Sequence, residues 1–166
     1  MQDATAIIDG IKGSVEAVGR SDRDGISLDN VSFRVDAREL DVPHDSELGT
    51  AGEVADLLYQ TWTEEPSYDV FLVHYEPAFP NCVALQTLRM EHRAGGTELD
   101  LVVTLSRSDV VRELPHDVLV CELFLHAVAA ATCARPGLVT FNVARAVVGW
   151  DDAALAEEPY EIEIPM

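Results

Sequence analysis

Cys82, Arg107, Ser108, Asp109 and Asp117 follow one another along the stretch NCVALQTLRMEHRAGGTELDLVVTLSRSDVVRELPHDVLV, residues 81–120. A thiol is a soft nucleophile only as its thiolate, and a nearby cation favours that form. Arg107 offers such a cation, and its forked guanidinium together with the Ser108 hydroxyl suits a phosphate or carboxylate ligand. Asp109 and Asp117 can accept or hold a proton. Each residue also has a plainer use. Free cysteines are usually buried small hydrophobes, which fits Cys121 and Cys133 within an apolar run and competes with the nucleophile reading of Cys82. With so many carboxylates present, Arg107 has ion pairing as its alternative. Ser108, Asp109 and Asp117 could cap turns or the start of a helix.

Other chemistry-bearing residues point to less. Glu122 and His126 stand four apart and would share a helix face, but no third ligand lies at a metal-binding spacing. A hydrogen bond or ion pair is the simpler expectation for them. His74 lies in an apolar run and reads as a core or edge histidine. The acidic run from Asp151 to Glu163 reads as a solvated edge, though the alternation EIEI could add a strand to a neighbour.

Composition narrows the partners. Thirty Asp and Glu stand against eleven Lys and Arg, a net charge of −19, and Lys12 is the only lysine. A field of that sign repels phosphate backbones and anionic lipid, so no nucleic acid and no membrane partner are expected. Such a surface suits a salt-rich cytoplasm, where screening relieves self-repulsion. Three cysteines with no CxxC pair argue for a reducing compartment and against a structural metal. No basic segment leads into an apolar run at the amino terminus, and a cytoplasmic location follows as the expectation. A chain of 166 residues fits one domain that buries roughly two thirds of its unfolded surface.

The elements that would position these residues can be read from periodicity. Ile7, Ile8, Ile11, Val15 and Val18 predict a helix over 4–18, weakened by Gly10 and Gly13. GRSDRDG reads as a polar loop. Val31, Phe33 and Val35 alternate with Ser32, Arg34 and Asp36, predicting a half-buried strand within 26–40. The capping-box spacing from Thr50 to Glu53 opens a helix over 51–62, and residues 68–75 read as apolar and β-rich. Ala94-Gly95-Gly96-Thr97 predicts a hairpin joining strands 83–92 and 98–106. From His116 the run is too long and apolar for a strand, so it predicts a buried helix closed by Arg135-Pro136-Gly137, before a strand over 138–148. This order predicts an α+β domain.

The run from Phe79-Pro80-Asn81-Cys82 through Ser106-Arg107-Ser108-Asp109 and Leu114-Pro115-His116-Asp117 into the long helix resembles the thymidylate synthase and deoxycytidylate hydroxymethylase superfamily. The resemblance covers roughly residues 68–150. It implies an α+β fold with a central mixed sheet flanked by helices, one of them long and buried, and a homodimer with sheets packed back to back. It implies Cys82 as the nucleophile toward C6 of a pyrimidine, and Arg107 and Ser108 as ligands of a nucleoside monophosphate. Asp109 becomes a base or backbone-orienting group, and Asp117 the reader of the pyrimidine edge. An aspartate there, where uracil-using members carry asparagine, leans toward cytosine, whose donor and acceptor pattern a protonated carboxyl can match.

The sequence also departs from the family pattern. No arginine stands near Ser67–Val70, where the resemblance implies phosphate ligands lent by a partner. In FNVARAVVG only Asn142 and Arg145 can replace the ribose-holding residues. Glu53 and Trp62 are the stand-ins for the catalytic glutamate and tryptophan. Two functions are therefore expected. One is a divergent protein that binds a pyrimidine nucleotide, or has lost catalysis and serves as a dimeric binding or structural protein. The other is an active cytosine-nucleotide C5 hydroxymethylase, which alone would need a tetrahydrofolate derivative.

Overall fold

The computed structural model describes residues 4–39, 83–93 and 95–153. The expected helix over 51–62 with Glu53 and Trp62, the β-rich segment with His74, Cys82, and the acidic run beyond Ala153 lie outside those residues. The first helix, α1 (Ala4–Val18), forms where the apolar spacing predicts and buries Ile11 and Val15.

The polar stretch GRSDRDG is not simply a loop. Arg20–Asp22 form a short strand, β1, which turns back into β2 (Gly25–Asp36) with Asp22 opposite Gly25. Gly25 makes this turn possible. Its φ is +152°, and a Cβ there would lie 2.1 Å from the Val148 carbonyl oxygen, so no side chain fits. Strand β2 ends at Asp36, earlier than the alternation suggests, because Ala37–Glu39 wind into a 3₁₀ turn.

The hairpin follows its glycine signal: β3 (Val83–Arg93) and β4 (Gly96–Leu105) pair antiparallel, with Arg93 opposite Gly96. A two-residue strand, β5 (Ser108–Asp109), precedes the second helix, α2 (Leu114–Ala131), and β6 (Arg135–Gly149) closes the described chain. Arg135-Pro136-Gly137 does not stop α2, since it already belongs to β6. The stop is Cys133, whose φ of 55° turns the chain, while the amide of Ala134 bonds back to the Ala129 carbonyl at 2.9 Å. Cysteine carries no sequence signal for a left-handed cap, a place usually taken by glycine.

Among the described residues the strands form one six-stranded sheet in the order β1-β2-β6-β4-β3, with β5 alongside β6. β4 and β5 run parallel to β6 and the other pairs are antiparallel. The architecture is thus α+β, a central mixed sheet flanked by helices. Both helices contact β6 and each other, so they cover the same face. Phe124, Phe141, Leu101, Leu105 and Leu125 are fully buried between them and the sheet. Helix α2 has the length and apolarity of a membrane span, yet 61% of it is buried inside the protein. Its apolar surface is used by the core.

One irregularity shapes the sheet. Val31, Phe33 and Val35 join the core, but so do Ile26 and Leu28, whose numbers have the opposite parity. A regular strand cannot place both sets on one face. Asn30, at φ 58°, supplies the change, and β6 switches parity directly across from it, between Val143 and Ala146. A second irregularity lies between β4 and β6, where the register shifts. There the Asp100 carboxylate accepts the Leu138 amide at 2.7 Å over Gly137, whose absent Cβ would lie 2.1 Å from that carboxylate.

Candidate functional site

The junction from β5 to α2 is built by short polar residues. The Asp109 carboxylate accepts hydrogen bonds from the amides of Val111 and Arg112, both at 2.9 Å. In return Glu113 accepts the Asp109 amide through Oε2 at 2.9 Å. These bonds close a turn that a small acidic residue forms readily. Pro115 then stands in the first turn of α2, where a missing amide hydrogen costs nothing. Arg112 anchors the turn from outside, with Nε 2.7 Å from Asp152. The hydrogen bond and charge of Asp152 raise the Arg112 pKa.

This junction turns Ser108 inward. Its side chain is fully buried and its Oγ donates to Asp117 Oδ2 at 3.2 Å. Asp117, in the first turn of α2, is 3% exposed. One helical turn further, on the same face, lies Cys121, and Gln86 of β3 donates through Nε2 to its sulfur at 3.9 Å. Ser108, Asp117, Cys121 and Gln86 therefore form a buried polar track from β5 to β3, none more than 3% exposed. Gln86 Oε1 has no hydrogen-bond partner among the described residues. Turning that amide over would offer the oxygen to the Cys121 thiol, whose S–H is a weak donor. Gln86 could have been noticed in sequence, as a polar residue in register with the core-facing Leu88. Cys121 could have been noticed four residues after Asp117.

Arg107 takes a different direction. Its guanidinium is half exposed and pairs at 3.3 Å with Asp24 in the β1–β2 turn. Arg107 and Ser108, adjacent in sequence, thus have separate partners, one at the surface and one in the interior. Arg145 pairs with Asp22 of the same hairpin. The two arginines of the candidate set are brought to the β1–β2 hairpin rather than to Asp117.

Asn142 lies elsewhere again. It alternates in β6 with Phe141 and Val143, which face the helices, so it projects from the opposite side of the sheet. There Asn142 Oδ1 accepts a hydrogen bond from Ser32 Oγ at 2.9 Å. The pair lines an open groove of about 230 Å³ with Asn30, Thr104 and Ala144. Asp117 and Asn142 are therefore separated by the thickness of the sheet. His126 on α2 bonds through Nε2 to the Ala37 carbonyl, an ordinary structural use. Among the described residues, no group of three or more His, Cys, Asp or Glu could hold a metal ion.

This arrangement, with a kinked mixed sheet covered by a long buried helix on one face, is found in solved structures. The chain has the thymidylate synthase fold. It superposes on thermostable thymidylate synthase A from Bacillus subtilis with a TM-score of 0.65 and 14% identity, over 89% of this chain and 80% of that one. On thymidylate synthase from T4 phage the TM-score is 0.62 with 16% identity, over 93% of this chain and 82% of that one. No protein-family model matches the sequence, and neither does any curated protein. At this level of identity the likeness concerns the fold.

Proposed function

We propose that this chain is a thymidylate-synthase-fold protein without transferase activity, serving as a dimeric binding or structural protein. The observation that supports it is the hydrogen bond between Ser108 and Asp117, with both groups inside the core. A phosphate ligand must present its hydroxyl to solvent before the nucleotide arrives, and a base reader must present its carboxyl. Here each group satisfies the other, and separating them would expose a buried carboxylate to loss of a donor. Arg107 remains at the surface, half exposed, with Asp24 as the competitor of any anion.

The competing reading is a cytosine-nucleotide C5 hydroxymethylase with Cys82 as nucleophile and Asp109 as base. Nucleophilic attack at C6 of dCMP or dUMP would make C5 an enolate-like carbon that takes up a solvent deuteron. Removal of the original C5 hydrogen by a base and expulsion of the thiolate from C6 would then restore the ring, so exchange needs no one-carbon donor. The test is proton exchange at C5, followed by NMR in deuterated buffer at molar salt. No exchange above the protein-free rate is expected with either nucleotide. Exchange that disappears in Cys82→Ser would overturn the proposal and establish a transferase site.

A further inference from the structure

Where β1, β2, β6 and β5 meet, the sheet face turned away from the helices is closed to solvent. Ser27 and Val147, partners in register, are 4% and 2% exposed, whereas Ser32, Arg34 and Ala144 further along that face are exposed. Two ion pairs cross this end. Arg145 of β6 pairs with Asp22 of β1. Strand β2 lies between them, with Asp29 and Gly25 as the respective partners, so the bridge passes over Ser27. Arg107, just before β5, pairs with Asp24 of the β1–β2 turn. Strand β6 lies between β2 and β5, so this second bridge spans β6 at its Val147 end. Arg107 and Arg145 directly precede the cross-strand partners Ser108 and Ala146, which sets two like charges on neighbouring strands. Such a pair is unfavourable without counter-ions, and one short turn supplies both.

We infer that the β1–β2 hairpin is an electrostatic strap, closed over this end of the sheet by Asp22 and Asp24 and released as ionic strength rises. Among the described residues β1 has only β2 beside it, so the two bridges are what tie its turn to β6 and β5. Arg107 and Asp24 are each about half exposed, so dissolved ions reach their bridge. The Debye length falls from about 10 Å at 0.1 M salt to about 3 Å at 1 M, and exposed ion pairs contribute little even before screening. Release is therefore local, loosening β1 and the turn without unfolding the domain. The rest of the chain responds in the opposite sense, because the same salt relieves the self-repulsion of a net charge of −19. Opening bares Ser27, Val147 and the adjacent Arg107 and Arg145.

Hydrogen–deuterium exchange on the full chain tests this by mass spectrometry. The two conditions are the lowest NaCl concentration at which circular dichroism shows the wild type folded and one tenfold higher. The protection of residues 20–27 is read against that of residues 138–143 in β6. In the wild type, residues 20–27 should lose about threefold or more of their protection at the higher salt, while residues 138–143 lose none. The double variant Asp22→Asn/Asp24→Asn should exchange fast over 20–27 at both concentrations. Asp9→Asn, which removes a carboxylate exposed on α1, should respond to salt as the wild type does. The exchanged pair Asp24→Arg/Arg107→Asp should recover protection that Asp24→Arg alone loses, and keeps the test open if the double asparagine variant does not fold. Protection of 20–27 that stays constant or rises with salt in the wild type would overturn the release. A salt response retained by Asp22→Asn/Asp24→Asn, or no recovery in the exchanged pair, would overturn the assignment to these bridges.

Discussion

The two faces of the sheet use polar residues in opposite ways. On the helix face, Ser108, Asp117, Cys121 and Gln86 are nearly inaccessible and bonded in two pairs, Ser108 with Asp117 and Gln86 with Cys121. On the outer face, Ser32 and Asn142 bond across neighbouring strands while the strip around them stays open. A buried polar group must find its partner within the protein, because desolvation is otherwise uncompensated. A polar group at the surface keeps water as an alternative and can exchange it for a partner. The helix face thus pairs its polar groups internally, whereas those of the outer face can also bond to water.

Substitutions on the two faces should separate by size. The largest effect is expected from Phe141→Ala. Its ring is fully buried and stacks on Phe33 with centroids 4.9 Å apart, so urea unfolding should show a loss of about 3–5 kcal/mol. Ser108→Ala comes next. It removes a donor from the buried Asp117 carboxylate and should cost about 1–3 kcal/mol by the same measurement. If Ser108→Ala leaves stability unchanged, the track is not held by that bond and the contrast between the faces fails.

Asp100→Ala tests the irregularity between β4 and β6. The Leu138 amide would lose its 2.7 Å acceptor, with an expected loss of about 1 kcal/mol. Ser32→Ala should do least, within about 0.5 kcal/mol, since its bond to Asn142 is exposed and water can replace it. A loss from Ser32→Ala as large as that from Ser108→Ala would show that the outer face is internally constrained as well.

Much of the fold was legible before any coordinates. The spacing of Ile7, Ile11 and Val15 marks α1, Gly95-Gly96 marks the hairpin, and the unbroken apolar run after Asp117 marks α2. These are local patterns, in which each residue's neighbours in sequence are also its neighbours in the element. The candidate site was less legible. Arg107 and Ser108 are adjacent in sequence, but the strand geometry of β5 sends Ser108 to Asp117 while Arg107 stays with Asp24. Asn142 was a plausible companion to Asp117 until β6 put it on the other side of the sheet.

Sequence by itself determined α1, α2, the hairpin, the acidic composition and the resemblance that pointed to this fold, because periodicity and motif order are properties of the chain. Tertiary structure alone decided that Asp22–Gly25 closes a hairpin, that Asn30 and the opposite stretch of β6 change face together, and that Cys133 ends α2. It also decided which polar residues are bonded within the core and which stay at the surface. Those outcomes depend on which strand lies beside which and on how a left-handed residue rotates one side chain to the other face. Such relations join residues far apart in sequence, where local spacing carries no information.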